Sequence, residues 1–171
     1  MTTDPDRFCD VWDLARRSGM VQGELALRDS SRLSAQLADS DGALHYRLCG
    51  MIDERGRPAA RLELDGVVRA RCDRCGEPVE VPIEERALFY FVVDEAELGS
   101  LPIDEAPDEP LLGSHRFDLA SLVEEQAILA LPISPRHDDC AAPATGDAGQ
   151  RQEEERHRPF EALAALKRPG H

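Results

Sequence analysis

The sequence predicts an α+β protein, an antiparallel sheet or partly closed barrel of short strands that carries one long amphipathic helix. Three observations predict it. Apolar residues fall on every second position through much of residues 43–93, glycine and proline clusters break that stretch into strand lengths, and one later stretch carries an apolar stripe at helical spacing. A chain of 171 residues, 42% of them hydrophobic, can bury a sizeable core, and it most simply forms one domain with tails. The expected organisation is a single α+β domain over 1–140, a flexible linker over 141–158 and a C-terminal docking segment over 159–171.

Trp12, Leu14 and Ala15 precede the turn signal Ser18-Gly19, which predicts a helical turn followed by a loop. Over residues 21–27 the positions Val21, Gly23, Leu25 and Leu27 alternate with polar neighbours, as in a half-buried strand. Residues 31–38 suit a brief helix, with Leu33 and Leu37 one turn apart. Leu44, Tyr46 and Leu48 open the antiparallel region, followed by Leu62 and Leu64, and then by Val68, Ala70 and Cys72. Residues 53–58, the pair Asp65-Gly66 and residues 75–78 supply the chemistry that ends or bulges strands.

Residues 94–109 hold seven carboxylates and no base, with three prolines by Pro110, which predicts a mobile acidic loop. Those carboxylates match no calcium-binding loop and have no histidine or nucleophile at a defined spacing, so solvated charge is their expected role. The long helix opens at Phe117-Asp118-Leu119 with Asp118 as N-cap. Leu119, Leu122, Val123, Gln126 and Leu129 form its inner stripe, and Glu124 and Glu125 face water. Pro132 ends it, and the prolines at 132 and 135 keep the following arm extended. Residues 141–158 are small, polar and charged, as in a flexible linker, and Phe160, Leu163 and Leu166 recur at helical spacing beyond it.

The chemical handle is a pair of polar clusters far apart in the chain. Cys72 and Cys75 bracket two residues at the end of a strand-like run, and His137 and Cys140 close the ordered-looking part. Thiolate and imidazole at such spacings can share one tetrahedral Zn²⁺ and staple the C-terminal arm to the middle of the fold. The same C-x-x-C spacing serves redox pairs and plain hairpin tips, so structural metal, inert reduced thiols and redox chemistry all stand at this level. Cys9 and Cys49 have no partner spacing and read as small apolar fillers.

Charge bounds the partners. Thirty-four acids against 20 bases leave a formal charge of -14, so the mean field repels nucleic acid and any RNA contact has to be local. The strongest basic stripe is Arg61, Arg69, Arg71 and Arg74, either a phosphate-contacting surface or a solvated sheet face whose arginines pair with Glu80, Glu84 or Glu85. No apolar run reaches the ~18 residues of a membrane span, and Met1 leads into Thr-Thr-Asp-Pro-Asp rather than a signal segment. A cytoplasmic, reduced protein without a small-molecule substrate is expected.

With these segments in order, the chain resembles the YceD family of large ribosomal RNA subunit accumulation proteins. The likeness rests on the N-terminal region up to Met20-Val21-Gln22-Gly23-Glu24-Leu25, on Arg71-Cys72-Asp73-Arg74-Cys75-Gly76-Glu77-Pro78-Val79, on DLASLVEEQAILALPISPRHDDC over 118–140, and on PFEALAALK over 159–167. The resemblance implies a non-catalytic bacterial factor of the cytoplasm that supports synthesis, processing or stability of large-subunit (23S) ribosomal RNA. Its partners would be the rRNA precursor or a basic ribosomal protein, and the charge of -14 favours the protein as direct contact. Family members are alike at the C-x-x-C and at the later His and Cys, so the Zn²⁺ ligand set Cys72, Cys75, His137 and Cys140 transfers, provided a tight turn through Asp138 and Asp139 lets the last two converge. A thiol redox protein or a zinc-stabilised adaptor is the competing class.

Overall fold

A computed structural model describes residues 7–101 and 108–141. A short strand β1 (Phe8–Cys9) leads into helix α1 (Val11–Arg16), whose N-cap Asp10 accepts from the backbone N–H groups of Trp12 and Asp13. Strand β2 (Met20–Ala26), a single 3₁₀ turn (Leu27–Asp29) and helix α2 (Ser31–Ser34) follow. Three strands then form the body of the sheet: β3 (Ala43–Ile52), β4 (Pro58–Arg71) and β5 (Pro78–Val92). Helix α3 (Glu95–Ser100), strands β6 (Asp108–Leu112) and β7 (Phe117–Asp118), and helix α4 (Leu119–Ala130) complete the described chain.

The main sheet has the order β2-β3-β4-β5-β6, and β1 and β7 form a separate antiparallel pair. The period-two alternation becomes physical here. Even-numbered residues Leu44, Tyr46 and Leu48 of β3 and Ala60, Leu62, Leu64, Val68 and Ala70 of β4 point to one buried face, joined by Val81, Ile83, Phe89 and Phe91 of β5. α1, α2 and α4 cover that face with Val11, Leu14, Leu33, Leu119, Leu122, Val123 and Ala127. Each fully buried Leu or Phe contributes roughly 1.5–3 kcal/mol, and a one-residue slip would turn the whole set outward, so this face holds the register. The opposite face is open, apart from a small cluster of Ala59, Tyr90 and Val92 backed by Met51, Leu98 and Leu101.

The expected all-antiparallel sheet or partly closed barrel gives way to an open, mixed sheet. The physical reason lies in the acidic stretch. Asp94 caps α3 by accepting from the Glu97 backbone N–H, so the chain turns back as a helix instead of hairpinning, and β6 runs parallel beside β5. With β2 and β6 as its edges, the sheet does not close. The supposed mobile acidic loop thus contains a helix and the start of a strand, while residues 102–107 lie outside the described chain. Asp108 is tied down by Arg57, whose guanidinium also binds Asp53 and lies 3.6 Å from the Tyr90 ring centroid.

Asp65-Gly66 neither ends nor bulges β4. Its register with β5 continues unbroken from Ala59↔Tyr90 to Arg71↔Pro78, whereas pairing with β3 stops at His45↔Asp65. A Cβ at Gly66 would sit 2.6 Å from Leu44 Cδ2, so glycine here admits the close approach at the point where β3 departs. In α4 the inner stripe runs Leu119, Leu122, Val123, Gln126 and Ala127, and Leu129 is 65% exposed. Glu124 does not face water: it accepts from the backbone N–H groups of Arg32 and Leu33 and binds the Arg32 side chain, docking α2 onto α4. No helix of the described residues is long and apolar enough to cross a membrane. The expected linker over 141–158 lies outside the described residues from 142 onward, as does the terminal docking segment over 159–171.

Candidate metal centre

β4 carries Cys72 to the buried face as the last of the even-numbered series, leaving it 1% exposed. The chain then reverses between Arg71 and Pro78. Cys72 donates its N–H to the Glu77 carbonyl at 2.9 Å and accepts at its own carbonyl from Gly76 N–H at 2.9 Å. Gly76 has φ of 82°, a left-handed conformation that glycine adopts without Cβ strain, so the turn closes tightly and points Cys75 back beside Cys72.

The second pair arrives from α4. Leu131 leaves the helix in an extended conformation before Pro132, and the arm crosses to the hairpin, where the Pro135 carbonyl accepts from Asp73 N–H at 2.9 Å. A turn at Asp138 and Asp139 folds Cys140 back toward His137. Arg74 locks that turn by donating to the Cys140 carbonyl at 3.0 Å.

The four side chains converge. The Sγ atoms of Cys72, Cys75 and Cys140 and a ring nitrogen of His137 lie within 4.8 Å of one another. Cys72 Sγ and Cys140 Sγ are 3.6 Å apart, and Cys75 Sγ lies 3.4 Å from His137 Nδ1. A tetrahedral ion with bonds of ~2.3 Å to sulfur and ~2.0–2.1 Å to nitrogen requires ligand–ligand edges of ~3.8 Å and ~3.6 Å, so both distances suit a Zn²⁺ at the centre. The imidazole is oriented for the task. Its Nε2 sits 2.9 Å from the Pro78 carbonyl, which can only accept, so the proton resides on Nε2 and the Nδ1 lone pair faces the sulfurs.

The electrostatics favour an anionic sulfur at Cys72. Burial pushes the Cys72 thiol up, but backbone N–H groups of Cys75, His137 and Arg74 directed at the sulfur prevail and bring it down to about 5. Cys140 is raised, first by burial and then by the neighbouring sulfurs of Cys72 and Cys75. A divalent cation would relieve that repulsion, and a set with three thiolates and one imidazole leaves no ligand position for water, the arrangement of structural rather than catalytic zinc. Away from the cluster, burial and then the Asp10 charge push Cys9 up to about 11, which keeps it a thiol.

The basic stripe separates into individuals. Arg69 faces Glu80 in register, yet its guanidinium binds Asp39 and Asp41 instead. Arg74 serves the Cys140 carbonyl. Arg71 is exposed with no acidic partner among the described residues, and so is Arg61, ten residues and thus ~34 Å earlier along the strand. Between them Asp65 and Glu84 face each other across β4 and β5, which breaks the stripe into two. Two contributors to the metal site escaped sequence reasoning, the Pro78 carbonyl and the Arg74 guanidinium. Each contact uses one main-chain carbonyl, that of Pro78 toward the His137 ring and that of Cys140 toward Arg74, between residues remote in sequence, for which residue type carries no signal.

A family model described as Large ribosomal RNA subunit accumulation protein YceD matches residues 60–167, a span that takes in the hairpin, α4 and all four clustered side chains. No solved structure matches the chain.

Proposed function

The chain belongs to the YceD family, and on that premise we propose that it promotes accumulation of large-subunit ribosomal RNA as a non-catalytic cytoplasmic factor whose C-terminal arm is held by a structural Zn²⁺. The observation that carries this reading is the closed ligand set, in which Cys72, Cys75, His137 and Cys140 crowd within 4.8 Å with the histidine tautomer fixed from behind. Such a site supplies rigidity. It joins the tip of the β4–β5 hairpin to the end of α4, so that sheet and helix present one fixed surface.

The partner is the precursor rRNA of the large subunit or a basic ribosomal protein of the same particle. A formal charge of -14 suits a basic protein over most of the surface, because complementary fields speed its capture and repel free polyanions. Cells carrying Cys72→Ser/Cys75→Ser in place of the wild-type chain provide the test. The ratio of 23S to 16S rRNA should fall, with the variant protein free of zinc, whereas an unchanged ratio with zinc lost would separate the metal from the function. A reversible Cys72–Cys140 disulfide in the purified protein, with no zinc at unit stoichiometry, would favour thiol redox chemistry instead.

A further inference from the structure

Seven of the described arginines are neutralised by carboxylates, three of them by two acids each. Arg32 binds Glu124 and Glu125, Arg57 binds Asp53 and Asp108, and Arg69 binds Asp39 and Asp41. On the open face of the sheet three arginines, Arg61, Arg71 and Arg86, have no acidic partner among the described residues, and two of these lie side by side. They are Arg61 on β4 and Arg86 on β5, both exposed. The register makes them neighbours: Arg61 lies opposite Leu88 and Arg86 opposite Glu63, so the two occupy a diagonal on one face, roughly 7–8 Å apart at the backbone. Glu63, which would otherwise neutralise Arg86, is taken from the far side by Arg47 at 3.3 Å. A shallow hollow of about 300 Å³ lies between them, lined by Arg61, Glu63, Arg86, Ala87 and Leu88.

We propose that this hollow is a contact site for single-stranded RNA, with the Arg61 and Arg86 guanidinium groups holding backbone phosphates and the half-buried Leu88 giving an apolar seat to a ribose or base. Three features favour an anion over a protein carboxylate partner from elsewhere in this chain. The local acid is already committed to Arg47, guanidinium forks match phosphate oxygens in pairs, and the next row of the face carries Glu24, Asp65 and Glu84, which confines a polyanion to the Arg61–Arg86 diagonal. The inference rests on the ribosomal-RNA reading and narrows it: the RNA contact sits on the open sheet, remote from the metal centre, while the acidic remainder stays available to a basic partner.

The test is fluorescence anisotropy of the full chain with a labelled twelve-nucleotide oligouridylate across 25–200 mM salt. Single strands lose affinity with a slope of about 0.7 per neutralised phosphate, so Arg61→Gln/Arg86→Gln should lower the salt slope by about 1.4 and weaken binding on the order of 50-fold at 50 mM salt. Arg28→Gln, which removes an exposed arginine on another element, should change the slope by no more than a few tenths, and thermal melts should show all three proteins equally folded. Equal losses in Arg28→Gln and the double variant, or a slope unaffected by the double variant, would overturn the site. If the double variant loses oligouridylate binding while cells bearing it keep a normal 23S to 16S ratio, the site stands and the ribosomal reading falls. Should the ratio drop while the purified wild-type chain binds no oligouridylate but retains a ribosomal protein that Arg61→Gln/Arg86→Gln releases, the RNA contact is refuted and the broader function survives.

Discussion

Removing the metal should be felt as the loss of a long-range cross-link. Cys72 and Cys140 are 68 residues apart, and closing a loop of that length in the unfolded chain costs about 4 kcal/mol in the chain-entropy treatment of cross-links. The hydrophobic core over α1, α4 and the sheet does not depend on the site, so the zinc-free protein should fold, but at that disadvantage. At roughly 4 °C per kcal/mol for a domain of this size, the midpoint should fall by about 15 °C. The assay is calorimetry on metal-loaded protein, on protein treated with a zinc chelator, and on Cys140→Ala, with Cys49→Ala as a thiol control. The chelated protein and Cys140→Ala should melt together, well below the other two. Identical melting before and after chelation, in protein shown to have held zinc, would refute the staple.

Three further outcomes follow from the same structure. Glu124 is held below the usual carboxylate range: burial raises it, but the backbone N–H groups of Leu33 and Arg32 and the Arg32 side chain outweigh that. A carboxylate depressed on folding contributes stability above its ordinary pKa of 4.5 and loses it as pH falls toward its lower folded value, so Glu124→Gln should cost about 1–2 kcal/mol at pH 7 and progressively less in melts below pH 4.5. Gly50→Ala places a Cβ 2.3 Å from the Leu14 carbonyl oxygen of α1, so urea titration should show a loss of about 1–3 kcal/mol. Arg74→Ala frees the Cys140 carbonyl, and competition with a chromophoric chelator should show zinc affinity roughly 10-fold weaker while the fold is retained.

Much of the architecture was legible because its strands have one wet and one dry face. Leu44, Leu48, Leu62 and Val68 alternate with charged neighbours, and that pattern specifies face and approximate length together. The β6 crossover was hidden because its signal is apolar only through contacts made elsewhere. Leu98 packs on Ala59 and Tyr90, and Asp108 is satisfied by an arginine 51 residues away. A run of carboxylates read alone resembles solvated coil, and only Asp94 as a cap hints otherwise. Glu124 failed in the same way, since its partners are backbone N–H groups of α2 that no local pattern announces. At the metal centre the turn residues Gly76 and the Asp138-Asp139 pair were readable in advance, whereas the direction of the His137 ring was not, because it depends on which strand of the hairpin supplies Pro78.

Zinc K-edge X-ray absorption of the purified full chain reads the ligand set itself. A closed site of Cys72, Cys75, His137 and Cys140 requires one zinc per chain with three sulfur scatterers at about 2.3 Å and one nitrogen at about 2.0 Å. A shell dominated by oxygen, or a fully loaded signal that persists unaltered in Cys72→Ser/Cys140→Ser, would contradict it.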